Sequence, residues 1–121
     1  MPEPGAGGGG ALPPGLPGAS GPRPAAVPTV QVDNDRVRVT EWRFAPGAAT
    51  GWHRHELDYV VVPLTTGRLG VRAADGETTA ELVAGRAYYR GRGVEHDVTN
   101  ANAHEFVFVE VEIRVRWTER S

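Results

Sequence analysis

From Thr29 onward the chain repeats with a period of two, and that alternation excludes a helical domain before any other property is consulted. Val30 and Val32 open the pattern, and Asp33-Asn34-Asp35 turns it. Arg36 to Phe44 follows as a strand with a Val-rich face and ends at Pro46-Gly47. A strand over Thr50 to His55, the β-branched run Tyr59-Val60-Val61-Val62 and a strand over Arg68 to Ala73 come next. Asp75-Gly76 signals a hairpin returning through Glu77 to Val83, and Ala87 to Arg90 leads into Gly91-Arg92-Gly93. The last stretch is the most regular: Val107, Val109, Val111, Ile113, Val115 and Trp117 alternate with Phe106, Phe108, Glu110, Glu112, Arg114 and Arg116. It predicts a long half-buried strand with aromatics on both faces at its start and charge on one face later. Eight or more short strands with Gly-rich turns, in about 93 residues, predict an all-β barrel or sandwich.

The residues before Thr29 differ in kind. Positions 1–28 are nearly all Gly, Pro and Ala, carry only Glu3 and Arg23 as charges, and contain no aromatic residue. Such a segment buries too little apolar surface to offset its ordering entropy, so it is expected to be disordered, with a single domain over 29–121. It reads either as residues preceding a domain that starts near Val27 or as a flexible tether. It has neither the basic n-region nor the apolar run of a secretory signal, which points to a cytoplasmic protein, and no stretch is apolar enough to span a bilayer. The 13 basic residues are all Arg and are interspersed among 15 acidic ones, so no basic stripe invites nucleic acid. The absence of Cys removes disulfides, thiolate metal sites and cysteine nucleophiles together.

Chemistry concentrates in the histidines. His53-Arg54-His55 on a strand projects two imidazoles from one face, about 7 Å apart at Cα. His96, on a predicted strand from Val94 to Asn100, is the natural third donor. Three imidazoles suit a divalent Fe, Mn, Ni, Cu or Zn ion, and a position left open would make such a site catalytic in type. His104, in the turn-like run Asn100 to His104, reads as a surface residue.

That spacing resembles a known family. Gly47-Ala48-Ala49-Thr50-Gly51-Trp52-His53-Arg54-His55 resembles the start of the first cupin motif, a Gly, five residues and His-x-His. Gly85 to Asn100 resembles the second, with Gly85, Gly93, His96 and Asn100 in place and Gly91 standing where the family usually has Pro. The resemblance implies a double-stranded β-helix (jelly-roll barrel), usually dimeric, with a metal inside its mouth. It also implies an acidic ligand in the first motif. Counting back from Gly67 at the closing position puts Val60 there, and Asp58, two residues earlier on the same strand face, is the expected substitute. The run His53 to Leu69 is similar to small single-domain bacterial cupins named for beta-alanine degradation, which implies a role near amino-acid or carboxylic-acid catabolism.

Other polar candidates surround this site. Arg90 and Arg92 flank Gly91 just before the His96 strand and could pair with a substrate carboxylate. Tyr59 and Tyr89 are the aromatic candidates for substrate contact; Tyr88 and Tyr89 point to opposite faces, one core and one rim. Trp52 and Arg54 lie opposite the histidine pair. Glu56, Asp58 and Glu95 are only positional candidates for a general base. The expected partners are a small carboxylate-like molecule and a second copy of the chain, since so small a barrel leaves strand edges to cover. Three functional readings stay open: a metal site performing Lewis-acid or oxygen-activating chemistry on a small anionic metabolite, a non-catalytic ligand-binding or sensor cupin, and a metal-free dimeric interaction module.

Overall fold

The structure, a computed structural model, describes residues 23–114. Among them nine strands and no helix occur: β1 (Val27–Asp33), β2 (Val37–Phe44), β3 (His53–Arg54), β4 (Asp58–Pro63), β5 (Gly67–Ala73), β6 (Gly76–Leu82), β7 (Tyr88–Arg90), β8 (Glu95–Asn100) and β9 (Phe106–Ile113). They form two sheets, ordered β1-β2-β9-β4-β7 and β3-β8-β5-β6. This is the jelly-roll barrel that the motifs imply, and all the pairings between these strands are antiparallel. No helix is long and apolar enough to cross a membrane among the described residues.

One end of the barrel is a packed core. Phe44 and Phe106 are fully buried and sit opposite one another in the β2–β9 register. Phe108 lies 5.4 Å from Phe44 between ring centroids, and Leu69, Leu82, Val61, Val98 and Ala48 close around them. The polar centre of this end is Asn100, with no exposed surface. Its Nδ2 donates to the carbonyls of Phe44 (3.1 Å), Ala45 (3.2 Å) and His104 (2.8 Å). Its Oδ1 accepts from the backbone N (2.9 Å) and Nδ2 (2.8 Å) of Asn102. Asn102 in turn brackets Arg68, accepting from its N at 3.0 Å and donating to its O at 2.8 Å. A side chain on Gly67 would stand 2.7 Å from Asn102 Oδ1, which is why the start of β5 requires glycine there.

Two sequence expectations change. The domain begins earlier than Thr29: β1 starts at Val27, and the Arg23 guanidinium donates to Thr99 Oγ1 at 2.7 Å and lies 3.6 Å from Asp97. Ala26 and Pro24 also bond the backbone of Ala49, which bridges Thr99 of β8, and Val27 and Pro28 pair with β2. Residues 1–22 of the expected tail, and Val115 and Trp117 of the last strand, lie outside the described residues. The expected strand over Thr50 to His55 shrinks to two residues, because Gly51 adopts φ 84° and breaks the extended run.

Replacing Asn100 by Ala leaves the buried Phe44 carbonyl and two partly buried ones without this donor and removes the acceptor of Asn102, an expected loss of about 3 kcal/mol. Urea denaturation of the two proteins measures it, and an unchanged midpoint would remove Asn100 from this role.

Candidate metal centre

The barrel keeps its other end open over a cavity of about 600 Å³. Both sheets contribute inward faces to it. On one side, β3 pairs with β8 in a register that sets His53 directly opposite His96. Past the end of β3, His55 is held by its backbone N donating to Val94 O at 2.8 Å and by its O accepting from Gly93 N at 2.8 Å. Gly93 adopts φ 97°, the conformation that lets this turn close against the first motif.

The three imidazoles meet edge to edge. Nε2 of His55 lies 3.0 Å from Nε2 of His53 and 3.1 Å from Nε2 of His96. All three donor atoms fall within 4.8 Å of one another. His53 Nδ1 donates to Gly51 O at 2.9 Å and also meets Thr50 Oγ1 at 3.2 Å, so its Nε2 presents a lone pair to the others. The His55 ring stacks on Tyr59 at 4.0 Å with 17° between planes. Burial first, then the neighbouring His53, pushes His55 down to about 4, and burial does the same for His96, also to about 4. Both are therefore neutral near pH 7, the state in which imidazole binds a metal.

The opposing sheet supplies acid and base that the sequence reasoning missed. On β9 the inward face is the even one: Phe106, Phe108, Glu110 and Glu112 are buried, whereas Val109, Val111 and Ile113 are only half-buried. Glu110 accepts from Trp42 Nε1 at 3.4 Å and lies 3.8 Å from His55 Nδ1. Burial, then the charge on Glu112, pushes its carboxyl up to about 7. Glu112 accepts from Arg38 Nε at 2.8 Å, and this bond, with the charge behind it, raises the arginine above its usual range. Alternation along β9 separated the charged positions from the valines, but did not say that the charged face turns inward.

The same parity relocates other candidates. On β4 the buried residues are Tyr59, Val61 and Pro63, so Asp58 and Val60 lie on the outer face. Asp58 does not join the histidine group. It accepts from Arg92 N at 2.8 Å and then from the Tyr89 hydroxyl, which together hold its carboxyl below the usual range. The position expected for the acidic ligand thus carries a turn-fixing residue, and the inward neighbour is Tyr59, whose phenol burial raises to about 12. Tyr59 and Arg90 do line the cavity; Tyr89 and Arg92 do not. Tyr89 is 59% exposed, and its place on the cavity wall is taken by Tyr88, with the Arg90 guanidinium 5.5 Å above its ring. Glu56 and Glu95 both pair with Arg54, which with Glu95 lines the cavity rather than lying opposite it, and the His104 ring bonds Glu105 O at 2.9 Å.

Comparison with known proteins agrees with this architecture. No family profile matches the chain. The beta-alanine degradation protein BauB of Pseudomonas aeruginosa is 67% identical over 92 residues, 76% of this chain and 97% of that protein. The crystal structure of a cupin domain from Bordetella pertussis Tohama I shares 57% identity at a TM-score of 0.78, covering 79% of this chain and 100% of that one. The polyketide cyclase RemF of Streptomyces resistomycificus shares 26% identity at a TM-score of 0.60, covering 78% and 70%.

If Asp58 serves the turn rather than the metal, Asp58→Asn speeds hydrogen exchange at the Arg92 amide several-fold by weakening a charge-assisted bond. Metal content measured on the same sample stays at the wild-type value; its loss would make Asp58 a ligand.

Proposed function

We propose a function for a chain that belongs to the family of small cupins represented by the beta-alanine degradation protein BauB: binding of a divalent metal ion by His53, His55 and His96, which present it to a small carboxylate-bearing metabolite in the open cavity. The observation that carries the proposal is the convergence of three Nε2 atoms, two of the contacts being 3.0 and 3.1 Å. Neutral imidazoles repel one another through converging lone pairs, and a shared cation relieves that repulsion. The donor set, all nitrogen and without thiolate, suits Fe, Mn, Ni, Cu or Zn. Such an ion, when bound with open positions, supplies Lewis-acid or oxygen-activating chemistry.

The residues of the chain supply the rest. Arg90 lines the cavity with no carboxylate partner among the described residues, and its guanidinium suits a planar carboxylate. Val61, Leu69, Val71, Val98 and Phe108 exclude water below the imidazoles and favour a small organic body over an inorganic ion. Thr50 holds the loop that carries His53, accepting from Val98 N at 3.1 Å. The name of the Pseudomonas relative supports placing the ligand in amino-acid or carboxylic-acid catabolism.

A ligand-binding barrel without turnover is a second reading, and one observation favours it. The three carboxylates expected as bases are committed elsewhere, Glu56 and Glu95 to Arg54 and Asp58 to the Arg92 turn. Under this reading a carboxylic acid raises the melting temperature and is recovered unchanged.

We also propose that a second copy of the chain covers β1, an edge strand on which Val27, Val30 and Val32 are 58%, 54% and 42% exposed. Size-exclusion chromatography with light scattering is expected to give a dimer at micromolar concentration; a monomer mass would contradict this.

For the site, metal analysis of purified protein is expected to find about one divalent ion per chain. Replacing His53 and His55 together by Gln abolishes it and leaves the β-sheet spectrum intact. Arg90→Gln keeps the metal and loses the stabilisation given by beta-alanine or propionate. Unchanged metal content in the double variant would sink the proposal.

A further inference from the structure

We infer that Glu110 is a positioning residue that backs the metal site from behind His55, orienting that imidazole and supplying the negative charge that an acidic ligand would otherwise bring. The inference rests on the metal-centre reading above and deepens it.

The geometry singles out this carboxylate. Its side chain is 10% exposed and lies on the inward face of β9, next to the imidazoles across the barrel. Among the described residues its only hydrogen-bond donor is Trp42 Nε1, at 3.4 Å on Oε1. The other oxygen, Oε2, faces His55 Nδ1 at 3.8 Å, an electrostatic contact longer than a hydrogen bond. His55 has no freedom to present another edge, because Tyr59 stacks on its plane and its Nε2 meets both other imidazoles. With Nε2 committed to a shared cation, the imidazole proton resides on Nδ1, the edge turned toward Glu110.

Comparison within the site sharpens the assignment. His53 has its own acceptor behind Nδ1, the neutral carbonyl of Gly51 at 2.9 Å, so among these two contacts only that of His55 is anionic. Glu112, two residues along the same face, is taken by Arg38 at 2.8 Å rather than by an imidazole. Neither first-motif position expected to carry an acid fills this role, since Val60 occupies one and Asp58, at the other, holds the Arg92 turn. The chain thus places its acid behind a ligand rather than among the ligands. The consequence is specific: charge near the metal is partly balanced while coordination positions stay open to an anionic molecule.

Cobalt(II) and azide test it in the full-length protein. Co²⁺ affinity is measured by chelator competition on wild type, Glu110→Gln, Glu110→Asp and Glu112→Gln; azide is then titrated by the visible absorption of the cobalt forms. Glu110→Gln is expected to weaken Co²⁺ about 10- to 100-fold. The same change is expected to tighten azide several-fold, because a negative charge beside the metal has been removed. Glu110→Asp keeps the charge and returns azide affinity toward wild type, and Glu112→Gln alters both affinities less than Glu110→Gln does. A variant that had only lost site structure would weaken azide together with Co²⁺, and that outcome overturns the inference, as does Co²⁺ affinity unchanged in Glu110→Gln. Wild type that takes up no Co²⁺ overturns the metal-centre reading itself, so the two failures are distinct.

Discussion

The carboxamide of Asn100 holds the barrel in the shape the site requires. Fully buried, it ties together the end of β2, the turn after it, the β8–β9 connection and, through Asn102, the start of β5. An amide is suited to this because it offers donors and an acceptor without charge, so it satisfies buried carbonyls with no ionic desolvation cost. Asn100 also lies four residues from His96 on the same strand. Fixing one end of β8 therefore fixes the parity of the other, and a slip of a single residue would turn His96 outward and Asp97 inward. The packed end and the open end are coupled through that strand.

The open end shows the opposite trade. A barrel optimised for stability would turn the valines of β9 inward, and this one turns Glu110 and Glu112 inward instead. Burial, and after it the charge of the neighbouring inward Glu112, raises the Glu110 carboxyl. Arg38 relieves Glu112 by a 2.8 Å bond, but nothing of equal strength relieves Glu110. An unrelieved buried acid is costly for folding alone, and the proposed metal site would give it a cation to face. The three imidazoles opposite it make the same statement in nitrogen.

How far the sequence carries the structure depends on what kind of information each residue encodes. His53, His55 and His96 were legible because motif spacing fixes which strands meet, and their convergence follows from the β3–β8 register. Asp58 and Tyr89 were misplaced because alternation defines two faces without naming the inner one, whereas Arg92 shares the parity of the cavity-lining Arg90 and lies in the turn that Asp58 fixes. Once Tyr59 is known to be buried against His55, the outward positions of Asp58 and Val60 follow from period two. The same step exchanges Tyr89 for Tyr88 on the cavity wall, because Val61 pairs with Tyr88 and Val60 with Tyr89. Arg23 was invisible for a different cause. A lone charge in a Gly/Pro/Ala run carries no local signal, and its bonds to Thr99 and Asp97 span more than 70 residues.

Glu110 shows which residues of β9 resolve the ambiguity between its two faces. The β9 sequence offers Val, Val, Val and Ile on one parity and Phe, Phe, Glu and Glu on the other. Hydrophobicity summed over the strand favours the aliphatic parity as the buried one. The two phenylalanines decide against it, because Phe106 and Phe108 fill the closed end with Phe44 and carry the glutamates inward with them. Aromatic volume at the start of a strand thus fixes the orientation of charge at its end. In a barrel with one packed and one open end, acidic residues continuing the parity of an aromatic pair are therefore candidates for the site, not for the surface.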